Sequence, residues 1–346
     1  MKRPTQVDVA KLARVSRATV SLVLNDQADG KVVISEETRL RVRQAIDELG
    51  YEPDHRAQAL RSGGTKTIGM ILIDMSNPHY WEHADGIEQE ARALGYNVLL
   101  FTRSLDPVYI QRIFRDLAGR RIDGLILAGG LISVSSEARK ALANIHKYRL
   151  PVVELCDRFP DYEIDCLISD YHQATVEAMA YLLALGHRRI GLVYGVASKD
   201  LALDRLEPYR EALQNAGLGV DDCLIANCGP SVEDGYQAAT RLLRLPTPPT
   251  AIIAINDLLA IGVLRAATDL GLQVPADLSI VGYDDITLAN YLSPRLTTAT
   301  KKIHTVGRDS VRLVLERIQN PEKPYQVIYS PSRLIIREST GAAPHR

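Results

Sequence analysis

No run of 18 uncharged apolar residues occurs in the 346-residue chain, so no segment reads as a membrane-spanning helix. After Lys2 and Arg3, where a secretory signal would need an apolar stretch, Asp8, Lys11 and Arg14 intervene, and the expected location is the cytoplasm. Cysteine is scarce. Cys156, Cys166, Cys223 and Cys228 contain no CxxC pair, which argues against a zinc site or a disulfide framework and for reduced, mostly buried thiols. An excess of one charge is also lacking, with 41 basic residues against 42 acidic. Bulk electrostatics therefore indicate neither a nucleic acid nor a membrane, and a charged partner must be met by a local patch. The patterns GxSxG, GxxxxGK[ST] and HExxH are absent, and the pair Asp284 and Asp285 has no evident metal partner. No enzyme activity, cofactor or metal is expected.

What remains is an ordinary globular composition, 46% hydrophobic and 24% charged, in a chain long enough for two or three domains with their own cores. Residues 1–62 hold 11 Lys or Arg against 9 Asp or Glu, whereas the rest holds 30 against 33. The asymmetry is mild, with the sign expected of a nucleic-acid-binding head on a neutral body. Three short helical patterns fill that head. Val9, Leu12 and Ala13 keep helical spacing over 6–14, Ser16 can cap a second helix carrying Val20, Val23 and Leu24, and Ser35 can cap a third. In the third, Val42, Ala45, Ile46 and Leu49 mark one face, and Gly50 sits where a left-handed C-terminal residue is wanted. Asp54 can cap a fourth, very short helix through Arg61, after which Ser62, Gly63 and Gly64 read as a flexible joint.

From Thr67 the pattern changes to apolar runs alternating with amphipathic helices, as in a parallel α/β sheet with right-handed crossovers. Strands are expected at 67–73, 97–101, 124–127 and 152–155, with helices at 83–94, 107–120 and 137–148. The rhythm restarts after Asp165, with strands near 189–194, 251–255 and 279–283 and helices near 171–185, 202–216, 231–243 and 257–270. Two similar lobes follow. A helix over 306–319 and strands at 325–329 and 333–336 are too little for a further lobe, so this tail should cross between the two.

The first helix pair carries the sharpest chemical signal. A tight turn before the second helix puts Arg17, Ala18, Ser21 and Leu22 on or near its outward face, where Arg can pair with guanine and small or apolar side chains can touch a thymine methyl. Helix pairs are common, and a three-helix cap without a ligand fits the same geometry. In the body, Asn256 and Asp284 stand at carboxyl ends of strands, where doubly wound sheets bind ligands, and between them they can accept from and donate to vicinal hydroxyls. The loop from Asp74 to His83 offers Asn77, His79, Tyr80 and Trp81; the two aromatics either stack on a sugar face or pack a helix entry into the core. The segment from Gly186 to Gly191 reads as a turn and strand entry with no chemistry.

Asp8-Val9-Ala10, Ala13, Val15-Ser16, Thr19-Val20-Ser21 and Asn25 resemble the signature of the LacI family of bacterial transcriptional regulators, and the likeness continues through Ser35, Thr38, Arg39, Tyr51-Glu52-Pro53 and Ala57-Gln58-Ala59-Leu60. In the body it includes Ser76-Asn77-Pro78, Asp123-Gly124, Asn256-Asp257, Val281 to Asp285, Ser293-Pro294 and Arg337 to Thr340. The resemblance implies a small all-α helix-turn-helix headpiece (1–52), a hinge helix and linker (53–65), and a two-lobed, periplasmic-binding-protein-like α/β domain with parallel sheets (66–340). Its N-lobe would span 66–165 with 295–324, and its C-lobe 166–294 with 325–340.

It further implies DNA contacts from Thr5, Ser16, Arg17, Ala18, Thr19, Ser21, Leu22 and Asn25, and from Ala57 and Leu60 of the hinge. Leu60 stands where the family wedges a leucine into the minor groove, an apolar insertion that can kink a duplex; packing of this linker residue on the body is the other reading. Effector contacts are implied for Asn77, His79, Tyr80, Arg205, Asn256 and Asp284. The implied partners are pseudo-palindromic double-stranded operator DNA, a small polar effector such as a sugar or sugar derivative, and a second copy of the chain. A soluble carbohydrate receptor shares the two-lobed body but has no need of the head. Asp54, His79 and Tyr171 depart from the family's usual Asn, aromatic carbocycle and Asn, and Leu22 stands where an arginine is often found, so neither effector nor operator carries over by resemblance.

Overall fold

Thr5 and Asp8 close a reciprocal cap on α1 (Gln6–Leu12): Thr5 N donates to Asp8 Oδ2 at 2.8 Å, and Asp8 N donates to Thr5 Oγ1 at 3.4 Å. Arg14 takes a left-handed φ of 53°, which ends α1 short of its expected limit and turns the chain into α2 (Arg17–Leu24). Ser35 caps α3 (Glu36–Leu49), accepting from Thr38 N at 3.3 Å, and Gly50 terminates it at φ 56°. Val9, Val20, Val23, Val42, Ala45 and Tyr51 form the core that these helices share. The computed structural model describes residues 4–24, 34–51, 64–102, 122–130, 140, 149–156, 163–195, 203–300 and 303–344. The chain divides into two units, Met1–Thr65 and Lys66–Arg346. Asn25, Asp54, Ala57, Leu60 and the rest of the expected hinge helix lie outside the described residues, as do the helices expected at 107–120 and, apart from Lys140, at 137–148.

The second unit opens with β1 (Thr67–Leu72), α4 (Pro78–Ala93), β2 (Asn97–Thr102), β3 (Gly124–Ala128), β4 (Val152–Cys156) and β5 (Asp165–Asp170). It continues with α5 (Tyr171–Ala184), β6 (Ile190–Tyr194), α6 (Leu203–Asn215), β7 (Ile225–Asn227), α7 (Val232–Leu243), β8 (Ala251–Ala254), α8 (Asp257–Asp269), β9 (Ser279–Tyr283) and β10 (Thr297–Thr300). It ends with α9 (Ile303–Gln319), β11 (Val327–Pro331) and β12 (Arg333–Ile335). The strands build two sheets, β11-β5-β4-β3-β1-β2 and β12-β10-β9-β8-β6-β7. All neighbouring pairs are parallel except β10 with β12. In each sheet the chain reverses its winding beside the first strand, between β1 and β3 and between β6 and β8, and ligands of such sheets bind outside these carboxyl ends. The expected two-lobed parallel architecture is present.

The lobe limits differ from the expected ones, and for β5 and β10 the physical reason is a buried polar partner. β5 belongs to the first sheet although only Cys166 to Ile168 read as apolar, because Arg317 of α9 grips the buried Asp165. β10 belongs to the second sheet, not the first lobe: its threonine hydroxyls are buried with partners, Thr297 on Thr340 at 3.0 Å and Thr298 on Asp257 at 2.6 Å. β11, expected in the second lobe, pairs with β5 in the first sheet, while β12 returns to the second. The backbone therefore crosses between lobes after β5, between β10 and α9, and between β11 and β12. Among the described residues no helix is long and apolar enough to cross a membrane.

Candidate functional site

α4 begins five residues earlier than expected. Asn77 Oδ1 accepts from His79 N at 3.0 Å, and Pro78 occupies the first helical position, where its missing N–H costs nothing. His79, Tyr80, Trp81 and His83 thus stand on the first turns of a helix rather than on a loop. His79 and His83 are buried and meet edge to face at 4.9 Å. Tyr80 is half-buried on the first-lobe core above Gly129, whose φ of 101° and absent Cβ admit the ring; a Cβ there would lie 2.9 Å from it. Trp81 neither enters the core nor joins His79: it is exposed, and its indole N–H donates to Met75 O at 3.1 Å.

His79 reaches across to the second lobe, its Nδ1 standing 3.4 Å from Asp284 Oδ1. The same oxygen accepts from the Tyr171 hydroxyl at 2.9 Å. Arg205 is buried, with its guanidinium 4.1 Å from the Tyr171 ring centre and 5.4 Å from that of Tyr283. Three side chains expected in an effector site, His79, Arg205 and Asp284, are therefore grouped around Tyr171. Nearby, Glu82 Oε1 accepts from Thr287 N and Oγ1 at 3.3 and 3.2 Å, a second link between the lobes.

Asp284 and Asp285 follow β9 with φ of 102° and 53°, left-handed conformations that cost a non-glycine residue about 1–3 kcal/mol each and persist only where surroundings impose them. Those surroundings are visible. Asp284 N donates to Ala299 O at 2.9 Å, Arg337 pairs with Asp285 at 2.5 Å, and Ile286 N donates to Asp257 Oδ2 at 2.9 Å. Gly282 is required beneath them, since a Cβ would sit 2.2 Å from Asp257 Oδ1. Burial, then the proximity of Asp284, holds the Asp257 carboxyl well above the usual carboxylate range.

Asn256 lies at the end of β8, but much of its amide is spent on structure: Oδ1 caps α8 through Leu259 N at 2.7 Å, and Nδ2 donates to Pro230 O at 3.3 Å. In the sequence Tyr171 stands out only as a departure from the family's usual Asn, and Tyr283, His83, Asp257 and Arg337 carry no signal of a role in the site. The order in which strands come together, invisible to local pattern, is what brings these residues to one place. His187, read as part of a turn, proves to be a fully buried junction, with Nδ1 2.9 Å from Thr250 Oγ1 and Nε2 3.0 and 3.1 Å from Ser279 Oγ and Gly341 O.

In the headpiece, Arg17 and Ala18 are exposed at the start of α2, and Ser21 and Leu22 are half-buried one turn on. Ser16 Oγ accepts from Thr19 N at 3.0 Å and lies 2.9 Å from Thr19 Oγ1, so these hydroxyls also cap the helix that presents Arg17. Arg17 Nε donates to Gln6 Oε1 at 3.3 Å. None of the four cysteines forms a disulfide, and Cys223 is exposed rather than buried. Among the described residues no cluster of His, Cys, Asp or Glu is arranged to hold a metal.

The description "Bacterial regulatory proteins, lacI family" matches residues 5–54, and "Periplasmic binding protein-like domain" matches residues 179–340. The chain is similar to the HTH-type transcriptional regulator DegA of Bacillus subtilis (strain 168), 35% identical over 339 residues and 98% of either chain. It is similar in structure to the transcriptional regulator CelR in complex with cellobiose, with a TM-score of 0.71, 30% identity, and coverage of 97% of this chain and 100% of that one. The lac repressor dimer bound to operator and the anti-inducer ONPF gives a TM-score of 0.83 at 28% identity, covering 99% of this chain and 100% of the other. A head with an exposed second helix, a body of two doubly wound sheets, and similarity running the length of the chain place it together with these regulators: the chain belongs to the LacI family of bacterial regulatory proteins.

Proposed function

We propose that the protein is an operator-binding transcriptional repressor whose affinity for DNA is set by a small polyhydroxylated metabolite, a sugar or sugar derivative, held between the two lobes. The observation that carries this reading is the convergence on Asp284 of His79 from one lobe and of Tyr171, beneath Arg205, from the other. A carboxylate at the hydroxyl of Tyr171 and a guanidinium over its ring supply the acceptor, the donors and the apolar faces that a sugar ring needs. The cellobiose held by CelR supports the sugar class. Asn77, Tyr80 and Asn256 complete the proposed site, the last with the part of its amide that its structural bonds leave over.

On DNA the protein acts as a two-fold symmetric homodimer, as the operator-bound lac repressor dimer supports. Each head offers Thr5, Ser16, Arg17, Ala18, Thr19, Ser21 and Leu22 to the major groove, with Asn25 beside them and Ala57 and Leu60 at the hinge. No catalytic turnover is proposed, and the cytoplasm is where such a regulator meets its operator. The test is selection of operators from a random duplex pool, followed by titration of the selected duplex with and without a panel of sugars. A palindromic site released or tightened by one sugar is expected; a protein that selects no sequence, or whose selected complex ignores every sugar, contradicts the reading.

A further inference from the structure

We infer that Tyr171 is a positioning residue of the effector site, setting the orientation of Arg205 and Asp284 before a ligand arrives; the inference rests on the effector-binding reading of the cleft given above. Tyr171 is the first residue of α5, immediately after the chain crosses from β5 into the second lobe, and Asp170 caps that helix by accepting from Gln173 N at 3.3 Å. Its ring is 1% exposed. Its side chain packs in the second-lobe core and meets Asp284 through the hydroxyl and Arg205 and Tyr283 through the ring.

The ring is fixed from two sides. It meets the Tyr283 ring edge to face at 5.5 Å and 73°. Tyr283 OH donates to Thr175 Oγ1 at 2.6 Å, and Thr175 Oγ1 donates to Tyr171 O at 2.8 Å, one turn back along the same helix. The Tyr171 ring held in this way is a fixed bed for the Arg205 guanidinium, 4.1 Å from its centre, with the Tyr283 ring 5.4 Å away as a second aromatic wall. The hydroxyl, meanwhile, holds Oδ1 of Asp284, a residue already committed to a left-handed backbone. An arginine side chain has several rotatable bonds, so a preset plane reduces what a ligand must order on binding.

Two substitutions separate the components. Tyr171→Phe keeps the ring and removes the hydroxyl, whereas Tyr171→Leu keeps apolar bulk and removes both. In full-length protein labelled with 15N-arginine, the Arg205 Nε–Hε resonance is identified by its loss in Arg205→Lys. It should be shifted upfield by the rings and rigid in wild type and in Tyr171→Phe, and should move towards free arginine and become mobile in Tyr171→Leu. An Arg205 resonance that stays shifted and rigid in Tyr171→Leu overturns the proposal.

Calorimetric titration with cellobiose and with D-ribose supplies the second measurement. A sugar that binds wild type should bind Tyr171→Leu more than about tenfold more weakly, whereas adding Tyr171→Leu to Arg205→Ala should cost much less, because the arginine it positions is already gone. Tyr171→Phe should fall between wild type and Tyr171→Leu. Losses that simply multiply in the double variant overturn the proposal, as does Tyr171→Phe binding as tightly as wild type, a result that decides even where Tyr171→Leu does not fold. Wild type binding neither sugar tells against the sugar class alone, and the arginine resonance then decides the role of Tyr171.

Discussion

The guanidinium of Arg317 grips both carboxylate oxygens of Asp165, Nε to Oδ2 at 2.8 Å and Nη2 to Oδ1 at 2.9 Å, with the side chains only 8% and 1% exposed. Arg317 also donates to the carbonyls of Pro321, Lys323 and Pro324, and Gln326 N donates to Asp165 Oδ1 at 2.8 Å. One buried pair thus joins the end of α9, the start of β5 and the approach to β11. It seats the two strands from which the chain departs for the second lobe.

Removing one partner should be far worse than removing both. Arg317→Met leaves an uncompensated buried carboxylate and should destabilise the protein by about 3–5 kcal/mol, whereas adding Asp165→Asn should restore a substantial part of that loss. Urea unfolding of the two variants measures the difference. Equal stabilities would show that Asp165 carries no charge needing the guanidinium.

Arg205→Ala and Asp284→Ala should abolish the response to effector. If effector induces, effector-free operator affinity should stay nearly that of wild type; if effector is a corepressor, both variants should bind operator weakly with or without ligand. The coupling at stake is typically about 1–3 kcal/mol. Fluorescence anisotropy on labelled operator, with and without the sugar that wild type answers to, reads both cases. A normal response in either variant would exclude that residue from the site.

Arg17→Ala should relax preference at one base position of each half-site and cost about 1–3 kcal/mol on the best operator. Gel-shift titration against a randomised operator pool gives the comparison. A uniform loss over all sequences would mean that Arg17 meets phosphate rather than a base edge.

His187 should make stability fall on acidification. Burial lowers its pKa, so below about 6.5 the unfolded chain takes up a proton that the folded one resists, and stability present above that pH is lost as pH falls towards the folded value. Gly341 O can only accept, so Nε2 carries the proton and Nδ1 accepts from Thr250. Thermal unfolding from pH 7.5 to 5.5 should therefore show a shallower decline for His187→Gln than for wild type, alongside a lower starting stability. Parallel declines would assign the acid sensitivity to other groups.

The headpiece helices were legible because their determinants are local. Ser35, Gly50 and the spacing of Val42 and Ala45 lie within one helix length, and each acts on backbone only a few residues away. The alternation of body strands and helices was legible for the same reason. The early start of α4 was readable too, since Asn77 and Pro78 are a cap and a first helical residue; the expected loop overlooked them. For the site, Arg205, His79 and Asp284 were singled out by position in motifs, before anything showed them together.

Tertiary structure decided what depends on partners distant in sequence. Asp165 and Thr297 do not read as strand-core residues until Arg317 and Thr340 satisfy their polar atoms, 152 and 43 residues away, and burying them without those partners would cost several kcal/mol. For that reason β5 and β10 were given to the wrong lobe or missed. Tyr171 likewise became central only when the crossover from β5 carried it beneath Arg205 and within 2.9 Å of Asp284, a residue 113 positions on. Local spacing determines which elements form, because backbone hydrogen bonds and caps are short-range. Which polar groups can be buried, and so where the lobes divide and what the cleft contains, is set by pairing across the fold.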